Sequence, residues 1–560
     1  MKELIISELK KNLDLSEEQL SNLIEVPPTK DLGDYAFPCF PLAKTLKKSP
    51  NEIALDLAKK IKSDHFERVE ARGPYVNFFI DRKTLAKETL GKILKEKQNY
   101  GRKKINKKVL IEFPSPNTNK PLHIGHGRNI ILSQAISNIM EYQGNKVIKV
   151  NLNNDRGIHI CKSMLAYKKF GKNSTPQKSK IKSDHFVGDF YVKFAEELKK
   201  DPELEKEAQE YLKKWENNDK EIVSLWKKMN FWALSGFKQT YKKLNLKFKK
   251  EYLESEIYEK GREIILEGLK KGVFQKKQDG SISVNLEKEG LGEKILLRAD
   301  GTSIYITQDL ALAFQKQKDF SPDESIVVTA QEQNHHFKVL FKVLELLNSK
   351  LKNQKHYSYG MVNLESGRMK SREGTVVDLD EIIKELEDLS LAEIEKRFSK
   401  LSKKEKKERA EAIALSALKY YFLRIDHTKD ITFKPEESIS FEGNTGSYLL
   451  YTYARAQSVL KKSGKKIELK NISFLNEIEK SIILQLSLFP EVVEEAYLSL
   501  SPNIISNYAY SISQKFNEFY HSIQVIGSEN ENLRLVMVKA FAIVLKQSLL
   551  LLDIKVLEKM

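Results

Sequence analysis

Residues 109–126 read Val-Leu-Ile-Glu-Phe-Pro-Ser-Pro-Asn-Thr-Asn-Lys-Pro-Leu-His-Ile-Gly-His, and this stretch decides the predicted fold. It begins with the apolar character of a strand, and the prolines that follow end regular structure. Leu132 and Ile136 then begin an apolar helical face, and residues 146–150 predict a second strand. Strand, helix and strand within about 40 residues make a βαβ unit with a right-handed crossover. The sequence therefore predicts an α/β, Rossmann-like fold with a doubly wound parallel sheet, whose ligands bind at the carboxyl ends of its strands.

The length of the chain indicates how many domains to expect, and its net charge indicates what kind of partner it can bind. The chain has 560 residues, of which 41% are hydrophobic, and this length predicts roughly three to four domains with real cores. Its 95 lysines and arginines exceed its 77 acidic residues, which gives a net charge of +18. A nucleic acid partner fits this excess, because lysine and arginine contacts to phosphate carry most sequence-independent affinity. Solvated helix faces explain the same charge equally well, so charge alone decides nothing.

The cysteines and the apolar segments of the sequence indicate in which cellular compartment the protein is expected. Cys39 and Cys161 are the only cysteines and lie far apart, which argues against a disulfide framework and against a cysteine zinc site. The first residues lack a signal-type apolar core, and charged residues interrupt the apolar stretch 536–554. We therefore expect a cytoplasmic, monomeric protein without a membrane segment or a protein-bound metal.

Three domains are predicted from changes in pattern. Residues 1–100 mix amphipathic helices with the strand-like Tyr75–Ile80, which predicts a small α+β domain. Residues 101–385 carry the βαβ pattern, with a lysine-rich helical insertion expected at about 171–290. Residues 386–560 are almost purely helical and predict an all-α bundle. Strand character returns after the insertion in three segments: 295–307, 326–330 and 357–363.

The loop between the first strand and its helix has the chemistry of a nucleotide site. A helix amino end presents unpaired N–H groups and partial positive charge to an anion. Gly125 lets a phosphate or adenine approach the backbone, and the lead-in from Pro116 to Lys120 places the loop. His123 and His126 can donate to phosphoryl oxygens as charge shifts toward pyrophosphate. The short pattern His-x-Gly-His also occurs by chance, and two histidines this close can simply cap a helix. The strand before it and the helix after it favour the nucleotide site.

The longer segment 115–129 resembles the HIGH signature of class I aminoacyl-tRNA synthetases and is similar to the arginyl-tRNA synthetase family in particular. Further similar segments follow in order over most of the chain: 33–38, 154–159, 297–309, 441–446, 451–456 and 516–521. The resemblance implies activation of L-arginine with ATP to arginyl-adenylate and transfer of arginine to the 3′ end of tRNA(Arg). It also implies an N-terminal tRNA-binding domain, an anticodon-binding bundle, and Mg²⁺ that accompanies ATP and is held largely by its phosphates.

Residues 367–374, Gly-Arg-Met-Lys-Ser-Arg-Glu-Gly, resemble the second class I signature, the KMSKS loop, whose cations clamp ATP. The resemblance implies an ATP-binding set: Arg368, Met369, Lys370, Ser371 and Arg372. The loop departs from the pattern, because Arg368 replaces the first lysine and Ser371 stands in place of the second, and arginine and serine are not equivalent to lysine at a phosphate. The resemblance implies that Lys120 supplies the missing ammonium and is catalytic together with His123 and His126. Alone, this octet would also fit an exposed basic hairpin.

A pocket for arginine must satisfy a planar, permanently charged guanidinium, which favours a bidentate carboxylate. Tyr305 and Asp309 are four residues apart, as one helical turn would place them on one face. The resemblance implies that both bind the guanidinium, although Asp309 alone would also fit a helix N-cap. The same resemblance adds Gln333 at the guanidinium, Ser115, Asn117 and His126 at the α-amino and carboxylate end, and Glu112 in the pocket wall.

Two surfaces are candidates for tRNA. Tyr448, Tyr451 and Arg455 mix aromatic rings with a cation, which suits unstacked bases, although an aromatic stripe at helical spacing is more often core. The resemblance places them in the anticodon-binding bundle. It also implies that Tyr75 and Asn77 lie on the strand that reads the tRNA D-loop.

Two other functions remain open from the sequence. A nucleotidyltransferase with the same histidine loop would adenylylate a small phosphorylated substrate, but it would need neither the helical bundle nor the Tyr305–Asp309 pocket. A catalytically silent tRNA-binding relative would not need intact His123, His126 and Asp309. Arginine-dependent pyrophosphate exchange separates these alternatives from the synthetase.

Overall fold

The first hundred residues fold around a three-stranded antiparallel sheet, in a computed structural model that describes residues 2–300, 304–364, 377–398, 400–470, 472 and 474–560. Its strands are β1 (Tyr35–Pro38), β2 (Phe66–Arg72) and β3 (Tyr75–Ile80), with β3 in the centre. Five helices accompany this sheet: α1 (Lys2–Lys10), α2 (Glu17–Leu23), α3 (Ala43–Leu46), α4 (Pro50–Lys60) and α5 (Arg82–Glu96). The central place of β3 explains why all its residues after Tyr75 are buried.

A five-stranded parallel sheet organises the middle of the chain, as predicted. Its strands are β4 (Lys108–Glu112), β5 (Lys146–Asn153), β6 (Lys250–Leu253), β10 (Glu324–Ala330) and β11 (Gln354–Tyr359). The helices between and beside them are α6 (Ile124–Tyr142), α7 (Ile158–Phe170), α12 (Glu254–Lys270), α13 (Tyr305–Phe320) and α14 (Asn334–Leu347). The strand order β11–β10–β4–β5–β6 means that the chain leaves β4 toward one edge and later returns on its other side. The switch point therefore lies between β4 and β10, where a doubly wound sheet opens a crevice for ligands.

The predicted helical insertion at 171–290 is only partly helical. Its helices are α8 (Pro176–Ser179), α9 (Ser183–Leu198), α10 (Glu203–Glu216) and α11 (Lys220–Lys243). However, β6 lies inside this range and joins the main sheet, because Val150 to Asn153 of β5 pair with it in parallel. A second, antiparallel sheet follows, formed by β7 (Gln275–Lys276), β8 (Ile282–Leu286) and β9 (Gly292–Leu297).

The strand predicted over 295–307 is therefore wrong in two respects. It ends at Leu297, and it belongs to the small antiparallel sheet rather than to the main one. Helix α13 already begins at Tyr305, since the Ile304 backbone N–H donates to the hydroxyl of Thr307 and starts the first turn. The alternation of apolar residues in this segment concealed that helix start.

The last third of the chain is the predicted helical bundle, apart from one short strand. Its helices are α15 (Leu379–Arg397), α16 (Lys403–Leu423), α17 (Pro435–Ser438), α18 (Gly446–Ser463), α19 (Glu477–Ser487), α20 (Phe489–Leu498), α21 (Pro502–Ser522) and α22 (Glu531–Leu551). The strand β13 (Ile431–Phe433) pairs in parallel with β12 (Val362–Leu364), so the bundle and the central domain share a two-stranded sheet. Among the described residues, no helix is both long and apolar enough to cross a membrane.

Candidate active site

The loop after β4 runs beside the end of β5 as an irregular continuation of the sheet. The backbone N–H of Asn154 donates to the Pro116 carbonyl at 2.9 Å, and that of Thr118 donates to the Asn154 carbonyl at 3.1 Å. The Asn151 and Asn154 side chains bond the N–H and the carbonyl of Ser115, at 3.1 and 3.0 Å. Ser115 has a φ of +56°, a conformation held by these bonds. The loop is thus fixed on both sides before it reaches the histidines.

His123 and His126 face each other at the amino end of α6. Their ring centroids are 3.8 Å apart, and the planes are inclined by 36°. Burial and then the charge of Lys120 lower the pKa of His123 to about 4, and burial, His123 and Lys120 lower the pKa of His126 well below its usual value. Both rings are therefore neutral near pH 7. The Nδ1 of His126 accepts a 3.2 Å hydrogen bond from the His123 backbone N–H, which leaves the proton on Nε2 as a donor.

Lys120 stands close to this pair. Its charge contributes to the lowered pKa of His123 and of His126, and also to that of His159 at the start of α7, where burial is the larger cause. The structure therefore brings together the three residues predicted to be catalytic. It also adds His159, which belongs to the 154–159 segment but was given no role from the sequence.

The predicted ATP-binding residues Arg368, Met369, Lys370, Ser371 and Arg372 lie outside the described residues, but both flanks of that segment are described. On its carboxyl side, Ile124 N–H donates to the Val377 carbonyl and Leu379 N–H to the Leu122 carbonyl, each at 2.9 Å. The backbones of His123 and Asp378 thus form an antiparallel bridge between the two signatures.

The amino-side flank is held by Arg128. This side chain is completely buried and donates to the carbonyl oxygens of Gly360 and Met361, at 2.5 and 3.1 Å. It also donates to those of His427 and Lys429, at 3.2 and 2.8 Å. Burial lowers the pKa of Arg128 to about 10, so the guanidinium stays charged at neutral pH. One residue of α6 therefore ties the segment before 365–376 to the catalytic helix and to the bundle.

Asp309 and Tyr305 lie together near the amino end of α13, as predicted. The helix begins at Tyr305, so Asp309 is inside it and is not its N-cap. The Nε2 of His336, on α14, lies 2.6 Å from Asp309 Oδ2, and the His336 ring packs edge-on against Tyr305 at 5.7 Å between centroids. Tyr305 is 67% exposed; partial desolvation and then the charges of Asp309, Glu254 and Glu112 raise its pKa to about 12.

A concentration of carboxylates surrounds this pair. Glu254 follows β6 directly, and burial raises its pKa to about 7; Arg156 opposes this rise, while the charges of Asp155 and Asp309 add to it. Asp155 accepts both the N–H and the hydroxyl of Ser255, at 2.9 and 2.7 Å. These acids lie at the carboxyl ends of neighbouring parallel strands, which makes this side of the crevice attractive to a cation.

The remaining residues predicted for the pocket differ in burial. Glu112 is 5% exposed, and its Oε2 forms a 2.5 Å ion pair with Lys316 of α13. This carboxylate is therefore already paired with a cation, and the ion pair joins β4 to α13 in the wall of the pocket. Gln333 is exposed at the start of α14, three residues before His336. Asn117 is exposed in the loop, beside half-buried Ser115.

A large basic cavity lies in the helical bundle. It has a volume of about 1400 Å³, and seven of its lining residues are basic: Arg397, Lys400, Arg409, Arg455, Lys461, Lys462 and Lys559. Only Glu558 opposes them. The guanidinium carbon of Arg455 lies 5.0 Å from the ring centroids of both Tyr451 and Tyr520, which places a cation between two aromatic faces.

Tyr448 stands behind this cavity rather than in its wall. The Asn517 amide donates to its hydroxyl at 2.8 Å, and the Asn517 Oδ1 accepts from Arg455 at 2.6 Å. In the N-terminal domain, Tyr75 packs edge-on against the exposed ring of Phe40 at 5.6 Å. Asn77 is only 3% exposed, and its Oδ1 has no hydrogen-bond partner among the described residues.

Sequence reasoning missed three residues that shape the site: Arg128, Glu254 and His336. A charged residue beside the apolar Ile130 and Ile131 of a buried helix was the available signal for Arg128. His336 follows Gln333 by three residues, close to one helical turn, so its proximity to the pocket was also available. Nothing local marked Glu254, because its strand was hidden within the charged insertion.

Models of known families match three successive parts of the chain. The N-terminal domain of arginyl tRNA synthetase matches residues 1–80, the class I (R) tRNA synthetase catalytic domain matches 89–434, and the DALR anticodon binding domain matches 449–560. A Treponema denticola protein named arginine–tRNA ligase is 45% identical, over 96% of this chain and 94% of its own. A Borrelia turicatae protein of the same name is 43% identical, over 99% and 96%.

The fold agrees with these matches. A Thermus thermophilus arginyl-tRNA synthetase superimposes with a TM-score of 0.84 at 26% identity, and covers 100% of this chain and 99% of its own. A Plasmodium falciparum arginyl-tRNA synthetase shares the fold, with a TM-score of 0.79 at 21% identity over 96% and 94% of the two chains. With its HIGH-type histidine pair at the switch point of a parallel sheet, and with relatives that match along its whole length, the chain belongs to the arginyl-tRNA synthetase family of class I.

Proposed function

We propose that this chain condenses L-arginine with ATP to arginyl-adenylate and pyrophosphate, and then transfers the arginyl group to a terminal ribose hydroxyl of tRNA(Arg). One observation carries the proposal: the histidine pair and the acidic pocket both lie at the carboxyl edge of one parallel sheet. Glu112 joins them, since it ends β4, precedes the histidine loop and pairs with the helix of Asp309. A cationic amino acid and a nucleotide can meet there.

The nucleotide side works by hydrogen bonding and charge. Neutral His123 and His126 donate to the phosphoryl oxygens of ATP, and Gly125 leaves room for the nucleotide at the end of α6. The low pKa of both rings keeps them uncharged, so they stabilise developing negative charge without titrating near pH 7. Pro116 shapes the loop from which they project. Mg²⁺ enters with ATP and is held by phosphate oxygens.

Lys120 supplies the ammonium that the second signature lacks. Arg368, Met369, Lys370, Ser371 and Arg372 complete the contacts to ATP in this proposal. The place of Lys120 three residues before His123 supports it, because a charge that lowers the pKa of both histidines also acts on a phosphate bound to them. An ammonium at this place would replace the lysine missing at position 371.

The amino-acid side selects a guanidinium. Asp309 pairs with the planar cation, Tyr305 contacts it, and Gln333 adds a polar group, while Ser115, Asn117 and His126 hold the α-amino and carboxylate end. The carboxylate of Glu254, which interacts electrostatically with Asp309, supports this assignment. A site of this kind rejects uncharged analogues, because its buried polar groups would then lose their partner.

The outer domains bind tRNA in this proposal: residues 1–100 take the D-loop side, and residues 386–560 the anticodon, while residues 101–385 hold the small substrates. Tyr451 and Arg455 stack with unpaired bases in the basic cavity, and Tyr448 supports Arg455 through Asn517. Tyr75 contacts the D-loop, and the buried Asn77 belongs to the same strand. The enzyme acts as a monomer in the cytoplasm in this proposal, and its two buried, free cysteines fit a reducing compartment.

Pyrophosphate exchange into ATP tests this function. We expect exchange that depends on arginine, measured with and without tRNA, and we expect His126→Ala to abolish it. A nucleotidyltransferase would instead exchange only with a phosphorylated co-substrate. A silent relative would bind tRNA without any exchange. Either result, with tRNA present, would contradict the proposal.

A further inference from the structure

Helix α9 of the insertion turns one face toward the nucleotide site. His185, Gly188 and Tyr191 follow each other at intervals of three residues, so they lie along one side of the helix. Each contacts a different segment around the histidine pair. Phe186, Val187 and Phe194 of the same helix are buried in hydrophobic clusters that α9 shares with α7.

Gly188 is where the helix meets the catalytic loop. A Cβ at this position would lie 2.7 Å from the Cδ of Pro121 and 3.6 Å from the Cα of Lys120. The first distance is shorter than carbon atoms tolerate, and the obstacle is a rigid proline ring. The absence of a side chain at Gly188 therefore sets how closely Lys120 and Pro121 approach α9.

His185 connects the same helix to the other signature. Its Nε2 lies 3.1 Å from an oxygen of Asp380 and 3.4 Å from one of Asp378. Asp378 caps α15 and is the residue whose backbone bridges His123. His185 therefore lies beside the residue whose backbone pairs with that of His123.

Lys182, just before α9, adds a second contact between this helix and the start of α15. Its Nζ lies 2.6 Å from Asp380 and 3.0 Å from the fully buried carboxylate of Asp184. It also donates to the hydroxyl of Thr240 on α11, at 2.6 Å. Lys182 therefore supplies the cation for a cluster of Asp184, His185 and Asp380 whose spacing alone would suit a metal ion.

Tyr191 makes the third contact. Its hydroxyl lies 3.3 Å from the Nδ1 of His159, whose pKa is lowered by burial and then by the charges of Lys162 and Lys120. Helix α9 therefore contacts His159 through Tyr191 and lies against Pro121 and Lys120 at Gly188.

We propose that α9 is a positioning element of the nucleotide site: its Gly188 face sets the place of Lys120, and His185 bonds Asp380 and so holds the first turn of α15, whose cap Asp378 bridges the backbone of His123. The insertion then contributes to amino-acid activation and is more than an addition to the sheet. This inference rests on the proposed role of Lys120.

Gly188→Ala tests it in the full-length enzyme, with pyrophosphate exchange as the readout. The added Cβ displaces the Lys120 loop, and a shift of about 1 Å is enough for a loss of up to about 100-fold, so we expect about a tenfold lower kcat with little change in the KM for arginine. Gly91→Ala is the matched control, because that helical glycine has its nearest neighbour at an ordinary 3.8 Å. Equal kcat values for the two variants would overturn the proposal.

A double-mutant cycle with Lys120→Ala separates positioning from general damage. If Gly188 acts through Lys120, Gly188→Ala costs less than about twofold in the Lys120→Ala background. A full tenfold cost in that background would refute the coupling. A near-normal kcat for Lys120→Ala alone would instead refute the proposed role of Lys120, so the two failures are distinguishable.

His185 offers a second route should Gly188→Ala fold poorly. His185→Ala is expected to lower kcat about tenfold by removing the bond to Asp380 and loosening the first turn of α15, whereas His185→Gln retains a side-chain N–H donor and restores most of the rate. A loss that His185→Gln fails to restore, or no loss in His185→Ala, would contradict the positioning role.

Discussion

The Nε2 of His336 lies 2.6 Å from the Oδ2 of Asp309, so the carboxylate proposed to receive the guanidinium is oriented by a histidine from the next helix. The two residues belong to α13 and α14, the helices on either side of β10 in the chain. The contact with His336 restricts the Asp309 side chain and leaves its second oxygen, Oδ1, for a ligand. The side chain therefore loses less conformational freedom when a cation binds.

Asp309→Asn should weaken arginine binding strongly, because the amide removes the charge that pairs with the guanidinium. We expect the KM for arginine to rise about 100-fold, equivalent to about 3 kcal/mol, with the KM for ATP changed less than about twofold. Steady-state exchange kinetics measure both constants. The exposed Asp56→Asn, which loses only a surface ion pair with Lys48, is the control. An unchanged KM for arginine would remove Asp309 from the pocket.

Arginine binding should weaken as the pH falls below about 7. Burial raises the pKa of Glu254 to about 7, with Asp155 and Asp309 adding to the rise. Above that pH Glu254 is ionised and attracts the guanidinium, while below it Glu254 becomes neutral and the attraction is lost. A KM for arginine measured from pH 6 to pH 8.5 should therefore fall with rising pH in wild type and change much less in Glu254→Gln. Identical profiles for the two would contradict this role of Glu254.

Arg128→Lys should destabilise the whole fold. The buried guanidinium donates to four backbone carbonyls, and a lysine cannot reproduce this planar fork. We expect the free energy of unfolding to fall by about 3 kcal/mol, measured by urea denaturation. The exposed Arg262→Lys should change it by less than about 0.5 kcal/mol. Equal stabilities would mean that these carbonyls find other donors.

Arg455→Ala should reduce affinity for tRNA without affecting arginine activation measured with saturating tRNA. The cation between Tyr451 and Tyr520 is removed, and with it one contact in the basic cavity. Filter binding across salt concentrations should show weaker binding, and a log–log slope smaller by about 1 if Arg455 contacts a phosphate. Arg262→Ala is again the control, and a tRNA affinity equal to that of wild type would place the anticodon elsewhere.

The sheet and the catalytic loop were predictable because their signals are local. The strand at 109–113, its prolines and the helix with Leu132 follow each other directly, so periodicity alone defined the unit. The strand β6 was missed because four residues within a long charged segment carry too little alternation to stand out. The helix start at Tyr305 was missed within an apparent strand because apolar residues suit both periods over a short window.

The site was predicted in its parts but not in its connections. Tyr305 and Asp309 could be paired by their spacing, whereas the bond from His336 crosses between two helices that sequence order does not place together. Glu112 was expected in the pocket wall, but its partner Lys316 is 204 residues away, so the ion pair that occupies it could not be read from the sequence. Arg128 links positions separated by up to 301 residues for the same reason.

A crystal structure with a non-hydrolysable analogue of arginyl-adenylate would show the proposed site occupied. We predict the guanidinium in hydrogen-bond contact with Asp309 and beside Tyr305, with the adenylate phosphate next to His123, His126 and Lys120. A guanidinium bound away from Asp309, or a phosphate remote from the two imidazoles, would contradict the proposed site.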